Sequence, residues 1–251
     1  MILFVTGTGT DVGKTVVTAA LAACASGRVA VVKLAQTGVR AGEPGDLAEI
    51  TRLSGCPDVY ELARYPDPLS PHHASAMAGA PEYDIGIAVL RIADLANTYD
   101  VVLVEGSGGL LVPYDRVDRT IVDIAEESGG EFILVTQAGL GTLNHTALVA
   151  EYLDRSSTQA HIVIGSWPAE PGLAERLNLR DLARMSAGGV LAGVVPAGAP
   201  ALPDFAARAR GWLAPEFGGS FDCREFRASV GVALPPQEPP PGTPRLPDFL
   251  R

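Results

Sequence analysis

A short glycine-rich loop between an apolar segment and a helical pattern constrains the fold of this 251-residue chain more than any other feature. The apolar segment Ile2–Thr6 predicts a strand, and residues 7–15 then read Gly-Thr-Gly-Thr-Asp-Val-Gly-Lys-Thr. Glycines allow the backbone amides of such a loop to point inward and bind an anion, and the start of the following helix adds partial positive charge. The sequence therefore predicts a phosphate-binding loop at the start of an α/β domain.

Lys14 and Thr15 carry the chemistry of this loop. In the common G-x-x-x-x-G-K-[ST] motif the lysine reaches the β- and γ-phosphates of a nucleoside triphosphate, and the hydroxyl after it binds Mg²⁺. Here the spacing from Gly7 to Gly13 is one residue longer. The alternative is a glycine-rich turn with an incidental Gly-Lys-Thr, but the strand and helix around the loop favour the phosphate site. The nucleotide-binding residues predicted from the loop are Gly9, Thr10, Asp11, Val12, Gly13, Lys14, Thr15 and Val16.

Short apolar segments rich in β-branched residues alternate with helical patterns along the chain. This alternation predicts an α/β, P-loop NTPase-like fold: a doubly wound, mainly parallel sheet flanked by helices, which binds ligands beyond the carboxyl ends of its strands. The predicted strands are Ile2–Thr6, Val29–Lys33, Val101–Glu105, Phe132–Thr136, His161–Gly165 and Val190–Val195. The predicted helices are Lys14–Cys24, Asp46–Leu53, Ile85–Ala96, Ile121–Glu127, Thr142–Leu153 and Leu179–Ala187.

Two stretches depart from this alternation. Residues 40–81 contain many prolines and glycines and one helical pattern, which indicates an ordered insertion around the site. Residues 235–251 are so rich in proline that they can join neither a helix nor a sheet, and they predict a polyproline-like or disordered tail. We therefore predict a single P-loop domain over residues 1–234, followed by the tail.

Composition argues against several classes of protein. The net charge of −10 argues against a nucleic-acid surface, and no apolar segment reaches the ~18 residues that a membrane span needs. The first residues lack the basic and small-residue features of a secretory signal. The distant cysteines Cys24, Cys56 and Cys223 fit neither a disulfide framework nor a metal site. These features predict a cytoplasmic protein without nucleic-acid or membrane partners.

Lysine is scarce in this chain. Of its 19 basic residues only Lys14 and Lys33 are lysines. Sites that need only positive charge can use arginine, so the remaining lysines indicate places that require a compact ammonium. The alternative is that lysine remains at these two positions by chance. Lys33 ends the second predicted strand, so it should lie at the same sheet edge as Lys14 and stabilise charge that develops in phosphoryl transfer.

Two carboxylates are candidates for holding the metal ion. Glu105 ends the apolar strand Val101–Glu105, as the metal-binding carboxylate of P-loop enzymes ends its strand. A carboxylate at the end of a buried strand is costly unless it is paired or bound to metal, and the alternative is a solvated strand end. For Asp46, at the start of a helical pattern, the residues alone favour a helix cap over a metal ligand.

These motifs together resemble those of the dethiobiotin synthetases. Residues 6–15 are similar to that family's long-spaced phosphate loop, and Lys-Leu-Ala-Gln-Thr-Gly at 33–38 is similar to its second-strand motif. Val-Glu-Gly-Ser-Gly-Gly at 104–109 and Gly-Thr-Leu-Asn-His at 141–145 resemble its metal-binding strand and the start of one of its helices. Leu34 and Ser107 stand where the family usually has Pro and Ala. Order and spacing match over roughly residues 1–215.

The resemblance implies a homodimer that closes the ureido ring of dethiobiotin from 7,8-diaminopelargonate and CO₂, with ATP and Mg²⁺. The implied catalytic residues are Lys33 and Lys14. The implied metal ligands are Thr15, Asp46 and Glu105. For Asp46 the resemblance therefore favours a metal ligand over a helix cap. The implied nucleotide contacts after the metal-binding strand are Gly106, Ser107 and Gly108. The implied substrate-binding residues are Thr37 and, across the dimer, the helix start at Gly141, Thr142, Leu143 and Asn144.

The Asn-Asp pair with which many family members read adenine has no counterpart here. The stretches at the matching positions offer a hydroxyl and backbone groups, which can serve several bases. We therefore predict that ATP or another nucleoside triphosphate is the co-substrate. The residues predicted to line the base pocket are Gly165, Ser166, Pro196, Ala197 and Gly198.

Two other classes share a related loop. The cobyrinate amidases carry a long glutamine-hydrolysing domain with a catalytic cysteine, for which this chain is too short. ParA/MinD-like switch ATPases carry an additional lysine early in the loop, where this chain has Gly9. The switch ATPase stays the alternative, and release of ADP that requires the diamine and CO₂ would separate it from the synthetase.

Overall fold

The computed structural model of this chain describes residues 1–156, 158 and 160–230. The predicted tail over 235–251 and the end of the predicted domain, 231–234, lie outside the described residues, so the domain organisation stays a prediction. Within the described part of the chain, no helix is both long enough and apolar enough to cross a bilayer.

The strands and helices alternate along the chain as predicted. The strands are β1 (Ile2–Gly7), β2 (Val29–Lys33), β3 (Gln36–Thr37), β4 (Val59–Glu61), β5 (Arg64–Tyr65), β6 (Val101–Glu105), β7 (Glu131–Gln137), β8 (Ala160–Trp167) and β9 (Gly193–Pro196). The helices are α1 (Lys14–Cys24), α2 (Asp46–Ser54), α3 (Pro71–Met77), α4 (Ile85–Ala96), α5 (Ile121–Ser128), α6 (Thr142–Arg155), α7 (Leu173–Met185), α8 (Phe205–Ala209) and α9 (Cys223–Val230).

Among the described residues, seven parallel strands form one sheet in the order β4-β2-β6-β1-β7-β8-β9. The short strands β3 and β5 pair with each other in a separate parallel sheet. β1 lies in the middle of the large sheet, between β6 and β7, and leads directly into the phosphate loop. The loop therefore lies at the carboxyl edge, beside the ends of β2, β6 and β8, as the sequence predicts.

Both faces of the sheet are covered. Leu3 and Val5 of β1 pack into a core with α1, α2 and α8, whereas Phe4 packs into a second core with α4, α5 and α7. Successive strand residues point to opposite faces, so a strand covered on both sides is apolar throughout. Each fully buried side chain of this kind stabilises the fold by roughly 1.5–3 kcal/mol. The predicted doubly wound α/β architecture is thus confirmed.

Two predicted elements have different bounds. The strand predicted over Val190–Val195 is Gly193–Pro196, because Gly188 and Gly189 have positive φ and form a short 3-10 turn before it. The helix predicted over Leu179–Ala187 is Leu173–Met185. The first buried residue of this helix is Asn178, so the apolar pattern that signals a helix begins only near its middle.

The insertion over residues 40–81 contains more regular structure than its one predicted helix. β4 extends the large sheet beyond β2, and β5 pairs with β3. α2 packs on α1 beside the phosphate loop. The insertion therefore builds one wall of the site, as its predicted place around the site suggests.

Candidate active site

The phosphate loop is fixed by close packing against β8. Gly13 has a φ of +99°, in the left-handed region that favours glycine, and it immediately precedes α1. A Cβ on Gly13 would come within 2.8 Å of Gly165 O, and a Cβ on Gly165 would overlap Val12 O. Glycine is required at both positions, so β8 supports the loop from behind.

The Lys14 side chain lies over the loop that precedes it. Its Nζ donates a hydrogen bond to Gly9 O at 2.8 Å, and the residue is 8% exposed. Burial and the nearby ammonium of Lys33 lower the pKa of Lys14 below its ordinary value, against an opposing effect of Glu105. Negative charge beside Lys14, such as a phosphate chain provides, would therefore stabilise its charged form.

The carboxylate of Glu105 ends β6 and is completely buried. Its Oε1 accepts hydrogen bonds from Lys33 Nζ at 2.8 Å and from Thr15 Oγ1 at 3.1 Å. Its Oε2 accepts one from Thr18 Oγ1 at 2.7 Å. A buried carboxylate is stable only with such partners. The alternative of a solvated strand end is wrong.

Lys33 joins two carboxylates at the end of β2. It is paired with Glu105 in the register of the parallel strands, and its Nζ also lies 2.5 Å from Asp46 Oδ2. Burial alone would lower the pKa of Lys33, but the charges and hydrogen bonds of these two carboxylates outweigh it and raise the pKa. The ammonium is therefore a fixed positive charge at neutral pH.

Asp46 is not the cap of α2. Gly45 occupies the N-cap position with extended backbone, and Asp46 is the first helical residue. The Asp46 side chain, which is 33% exposed, turns to Lys33. The capping interpretation is thus wrong, and the structure places Asp46 beside the other charged residues.

A cavity of about 430 Å³ opens between the phosphate loop, α2 and the ends of β2 and β6. This volume is within the usual range for ligand sites, roughly 300–1,000 Å³. The cavity brings together both lysines and all three predicted metal ligands. The lining residues are Thr10, Asp11, Gly13, Lys14, Thr15, Val16, Lys33, Ala35, Gln36, Thr37, Asp46, Glu105, Ser107 and Gly108.

The turn after β6 forms part of the cavity wall and is held from two sides. Ser107 N donates to the hydroxyl of the buried Tyr114 at 2.9 Å, and Ser107 Oγ donates to Ala35 O at 2.5 Å. Gly106 O accepts a hydrogen bond from Lys33 Nζ at 3.1 Å. The turn and the end of β2 are therefore fixed to each other.

Three further residues support the site without having been predicted. Thr18 bonds to Glu105, Tyr114 holds the turn after β6, and Gln36 lines the cavity. A hydroxyl on the otherwise apolar buried face of α1 is a signal that could have identified Thr18. The roles of Tyr114 and Gln36 depend on tertiary contacts that have no local pattern.

The stretches predicted to line the base pocket lie outside this cavity, at the ends of β8 and β9. Residues 196–198 are tied to β8 because Ala197 N donates to Trp167 O at 2.7 Å. Ser166 is exposed, whereas Trp167 is buried and packs edge-on against Phe226 of α9, with ring centroids 5.3 Å apart. These strand ends adjoin the phosphate loop through Gly165.

The predicted substrate-binding residues lie in two places. Thr37 lines the cavity, whereas the start of α6 does not. Gly141 precedes α6 with a φ of +87° and is exposed, as is Asn144, and Leu143 is half-buried. The Thr142 hydroxyl is buried and bonds to the end of β7. Thr142 thus fixes the start of the helix.

Three oxygen donors of the cavity fit a magnesium ion. Thr15, Asp46 and Glu105 offer one hydroxyl and two carboxylates, and Mg²⁺ usually combines one or two carboxylates with phosphate oxygens and water. The ammonium between the two carboxylates indicates that this position favours positive charge. In the described ranges, no group of three or more His, Cys, Asp or Glu residues is arranged to hold a metal ion. The donor set therefore suits a cation shared with a phosphate ligand.

The sheet order and the phosphate loop define a P-loop NTPase-like protein. A family model described as an AAA domain matches residues 2–200. The MinC:MinD cell division complex of Aquifex aeolicus has a similar structure, with a TM-score of 0.52 and 15% identity over 94% of this chain and 98% of that chain. At this identity the likeness concerns the fold alone.

Curated relatives narrow this class to one family. The ATP-dependent dethiobiotin synthetase of a Parafrankia species is 52% identical over 92% of this chain and 99% of its own length. Those of Frankia casuarinae and Streptomyces avermitilis are 53% and 50% identical over 90% and 91% of this chain, and over 97% and 98% of their own lengths. The chain belongs to the family of ATP-dependent dethiobiotin synthetases, as the resemblance of its motifs predicts.

Proposed function

We propose that this chain closes the ureido ring of dethiobiotin from 7,8-diaminopelargonate and CO₂, with hydrolysis of a nucleoside triphosphate. Membership of the family supports the proposal. The observation that carries it is the pairing of Lys33 with Glu105 and Asp46 in the cavity that also contains Lys14 of the phosphate loop. One cavity thus combines groups for a phosphate chain with a fixed ammonium at the place where its terminal phosphate would react.

The reaction proceeds through a carbamate and an anhydride. One amine of the substrate forms a C–N bond with CO₂ and loses a proton, which gives a carbamate. A carbamate oxygen then attacks the γ-phosphorus, whose bond to the bridging oxygen breaks, so that the nucleoside diphosphate leaves. The second amine attacks the carbonyl carbon of the resulting carbamic–phosphoric anhydride, loses a proton and expels inorganic phosphate.

Both lysines stabilise charge in this reaction, and Lys33 does not move protons. The raised pKa of Lys33 keeps its ammonium charged, so it is unsuited to accept the proton of an attacking amine. Its role is to stabilise negative charge on the carbamate and on the transferred phosphoryl group. Lys14 lies at the loop, where it would bind the β- and γ-phosphates. Thr37, on the cavity wall, would hold the diamine or the carbamate.

Thr15, Asp46 and Glu105 would hold Mg²⁺, which when bound neutralises charge on the phosphate oxygens. The protein prepares these donors before the ligand arrives. Glu105 is oriented by Thr15 and Thr18, and Asp46 by Lys33. The nucleotide contacts that complete the proposed site are the remaining loop residues, the turn at Gly106, Ser107 and Gly108, and the strand ends at Gly165, Ser166, Pro196, Ala197 and Gly198.

The substrate carboxylate would bind at the start of α6 in the second subunit of a homodimer. A helix N-terminus with an exposed glycine presents backbone N–H groups to an anion. Leu140, beside this helix start, is 91% exposed, and Leu148 on α6 is 65% exposed. Neighbouring exposed apolar side chains of this kind favour a protein partner. We propose a cytoplasmic location from the composition of the chain.

Measurement of ADP release with each substrate omitted in turn tests this function. The synthetase should release ADP only when the diamine and CO₂ are both present. ADP release that is independent of them would favour the switch ATPase. Lys33→Arg, which keeps a positive charge beside Glu105 and Asp46, should reduce the dependent release strongly. Arg116→Lys is the control for an exchange of basic residues, because the Arg116 side chain is 79% exposed.

A further inference from the structure

The start of α2 carries a proposed active-site carboxylate but lacks a side-chain cap. The first N–H groups of a helix have no partner within the helix, and a Ser, Thr, Asp or Asn side chain at the N-cap usually accepts from one of them. Here the N-cap is Gly45, which has no side chain, and Asp46 follows as the first helical residue. Another part of the chain must therefore fix this helix start.

Gln36 of β3 supplies the missing acceptor. Its Oε1 accepts a hydrogen bond from Asp46 N at 2.8 Å. The side chain is buried, with the residue 5% exposed, and lines the same cavity as Lys33. Because a backbone N–H can only donate, this bond also determines which end of the Gln36 amide faces the helix.

The same contact explains why the cap position holds glycine. Gly45 has a φ of −111°, which any residue adopts, so the backbone conformation does not require glycine. A Cβ at Gly45 would lie 2.5 Å from Gln36 Oε1 and 2.9 Å from Gln36 Cδ. A conventional cap at position 45 and the contact from Gln36 are therefore mutually exclusive.

We propose that Gln36 is a positioning residue that anchors the backbone of Asp46 and so holds its carboxylate against Lys33. The anchor matters because the Asp46 side chain is 33% exposed, so that water competes with Lys33 for the carboxylate. Lys33 and Glu105 are nearly inaccessible and need no such anchor. Gln36 thus acts on the one exposed member of the charged group.

The two ends of the Gln36 amide allow this role to be separated from direct substrate contact. The oxygen binds α2, whereas Nε2 makes only a long contact of 3.5 Å, with Thr37 O, among the residues that the structure describes. Gln36→Glu keeps an acceptor and loses the N–H donors, and Gln36→Met removes both. If the amide positions Asp46, the glutamate variant should retain the function that the methionine variant loses.

Hydrogen exchange of the Asp46 amide tests the anchor without any ligand. In Gln36→Met this amide should exchange roughly fivefold faster than in the original chain, as expected for loss of a helix cap. In Gln36→Glu its protection should be kept. Ile50→Val is the matched control, since it trims the buried face of the same helix at a comparable cost in stability. Unchanged protection in Gln36→Met, or an equal loss in Ile50→Val, would overturn the proposal.

Nucleotide binding tests the consequence for the site, and this arm rests on the proposed function. Calorimetry should give the affinity for ATP with Mg²⁺ and with chelator, and the ratio of the two reports on the proposed metal ligands. Gln36→Met should reduce this ratio by roughly tenfold, as expected when a residue that orients a metal ligand is lost. Gly45→Ala, whose methyl group would displace Gln36 Oε1, should reduce the ratio to a similar extent.

The outcomes of the two arms are distinct. If the ratio of ATP affinities with and without Mg²⁺ falls as far in Gln36→Glu as in Gln36→Met, the amide nitrogen is the functional end of Gln36. The positioning role is then wrong. If the unmodified chain binds ATP equally with and without Mg²⁺, the proposed metal site fails, whereas the exchange of the Asp46 amide still decides whether Gln36 anchors it.

Discussion

Lys33 Nζ lies 2.8 Å from Glu105 Oε1, and the two residues are register partners at the ends of neighbouring parallel strands. Both are buried, so each neutralises a charge that would otherwise be costly in the interior. Removal of Lys33 leaves the buried Glu105 carboxylate without a charged partner, whereas removal of Glu105 leaves Lys33 paired with Asp46. The pair therefore has to be tested by variants that treat its two members separately and together.

Lys33→Arg should keep the fold and reduce turnover by roughly 10²-fold or more, because a planar guanidinium cannot place a compact charge between two carboxylates and the transferred phosphoryl group. The measurement is kcat at saturating substrates, with circular dichroism as the check on folding. Turnover near that of the original chain would show that catalysis requires only a positive charge at position 33.

Asp46→Asn and Glu105→Gln should each raise the Mg²⁺ concentration needed for half-maximal turnover, because each removes a charged oxygen ligand. Since Asp46 does not cap α2, the capping ability of asparagine cannot rescue it. Glu49→Gln is the matched control on the same helix, where the Glu49 side chain is 37% exposed and pairs with Arg52. An unchanged Mg²⁺ requirement in Asp46→Asn would show that Asp46 is not a metal ligand.

The free energy of unfolding should fall at alkaline pH because of Lys33. Its pKa is raised in the folded state, so its stabilising contribution is fully present below the unfolded value of about 10.4 and is lost as the pH rises through the folded value. The buried tyrosines Tyr83 and Tyr114 also have pKa values raised by burial and act in the same direction. The double variant Lys33→Met with Glu105→Gln retains these tyrosines, so the difference between the two denaturation series excludes their contribution. Parallel slopes above about pH 10 in both proteins would contradict this account.

The sequence was most informative where a residue's position in a strand or loop determines its place. Lys33 and Glu105 end predicted strands, and parallel strands bring their carboxyl ends to one edge. The role of Asp46 was harder to predict. The N-cap and the first helical residue are adjacent positions, and aspartate is favoured at the N-cap. The role of Gln36 could not be predicted, because it arises from a contact between β3, which precedes the insertion, and the start of α2 within the insertion.

The enzyme should accept several nucleoside triphosphates. A site that reads a base with matched hydrogen-bonding groups can discriminate by roughly 10⁴-fold, because the wrong base leaves those groups unpaired. Here the Ser166 side chain is exposed, and the Trp167 side chain is buried against Phe226, so neither presents hydrogen-bonding groups matched to one base. The measurement is kcat/KM for ATP, GTP, CTP and UTP at equal Mg²⁺. A preference for ATP over all others beyond ~10³-fold, about 4 kcal/mol of transition-state binding, would contradict the prediction.

The identity of the product decides whether this chain closes the ureido ring. The protein is incubated with 7,8-diaminopelargonate, ¹³C-labelled bicarbonate, ATP and Mg²⁺, and the products are analysed by mass spectrometry. A reaction without the diamine and a reaction with Lys33→Arg serve as controls. We expect dethiobiotin that carries one labelled carbon in its ureido ring, formed together with an equal amount of ADP. ADP release without labelled dethiobiotin, in a preparation whose fold is intact, would contradict this expectation.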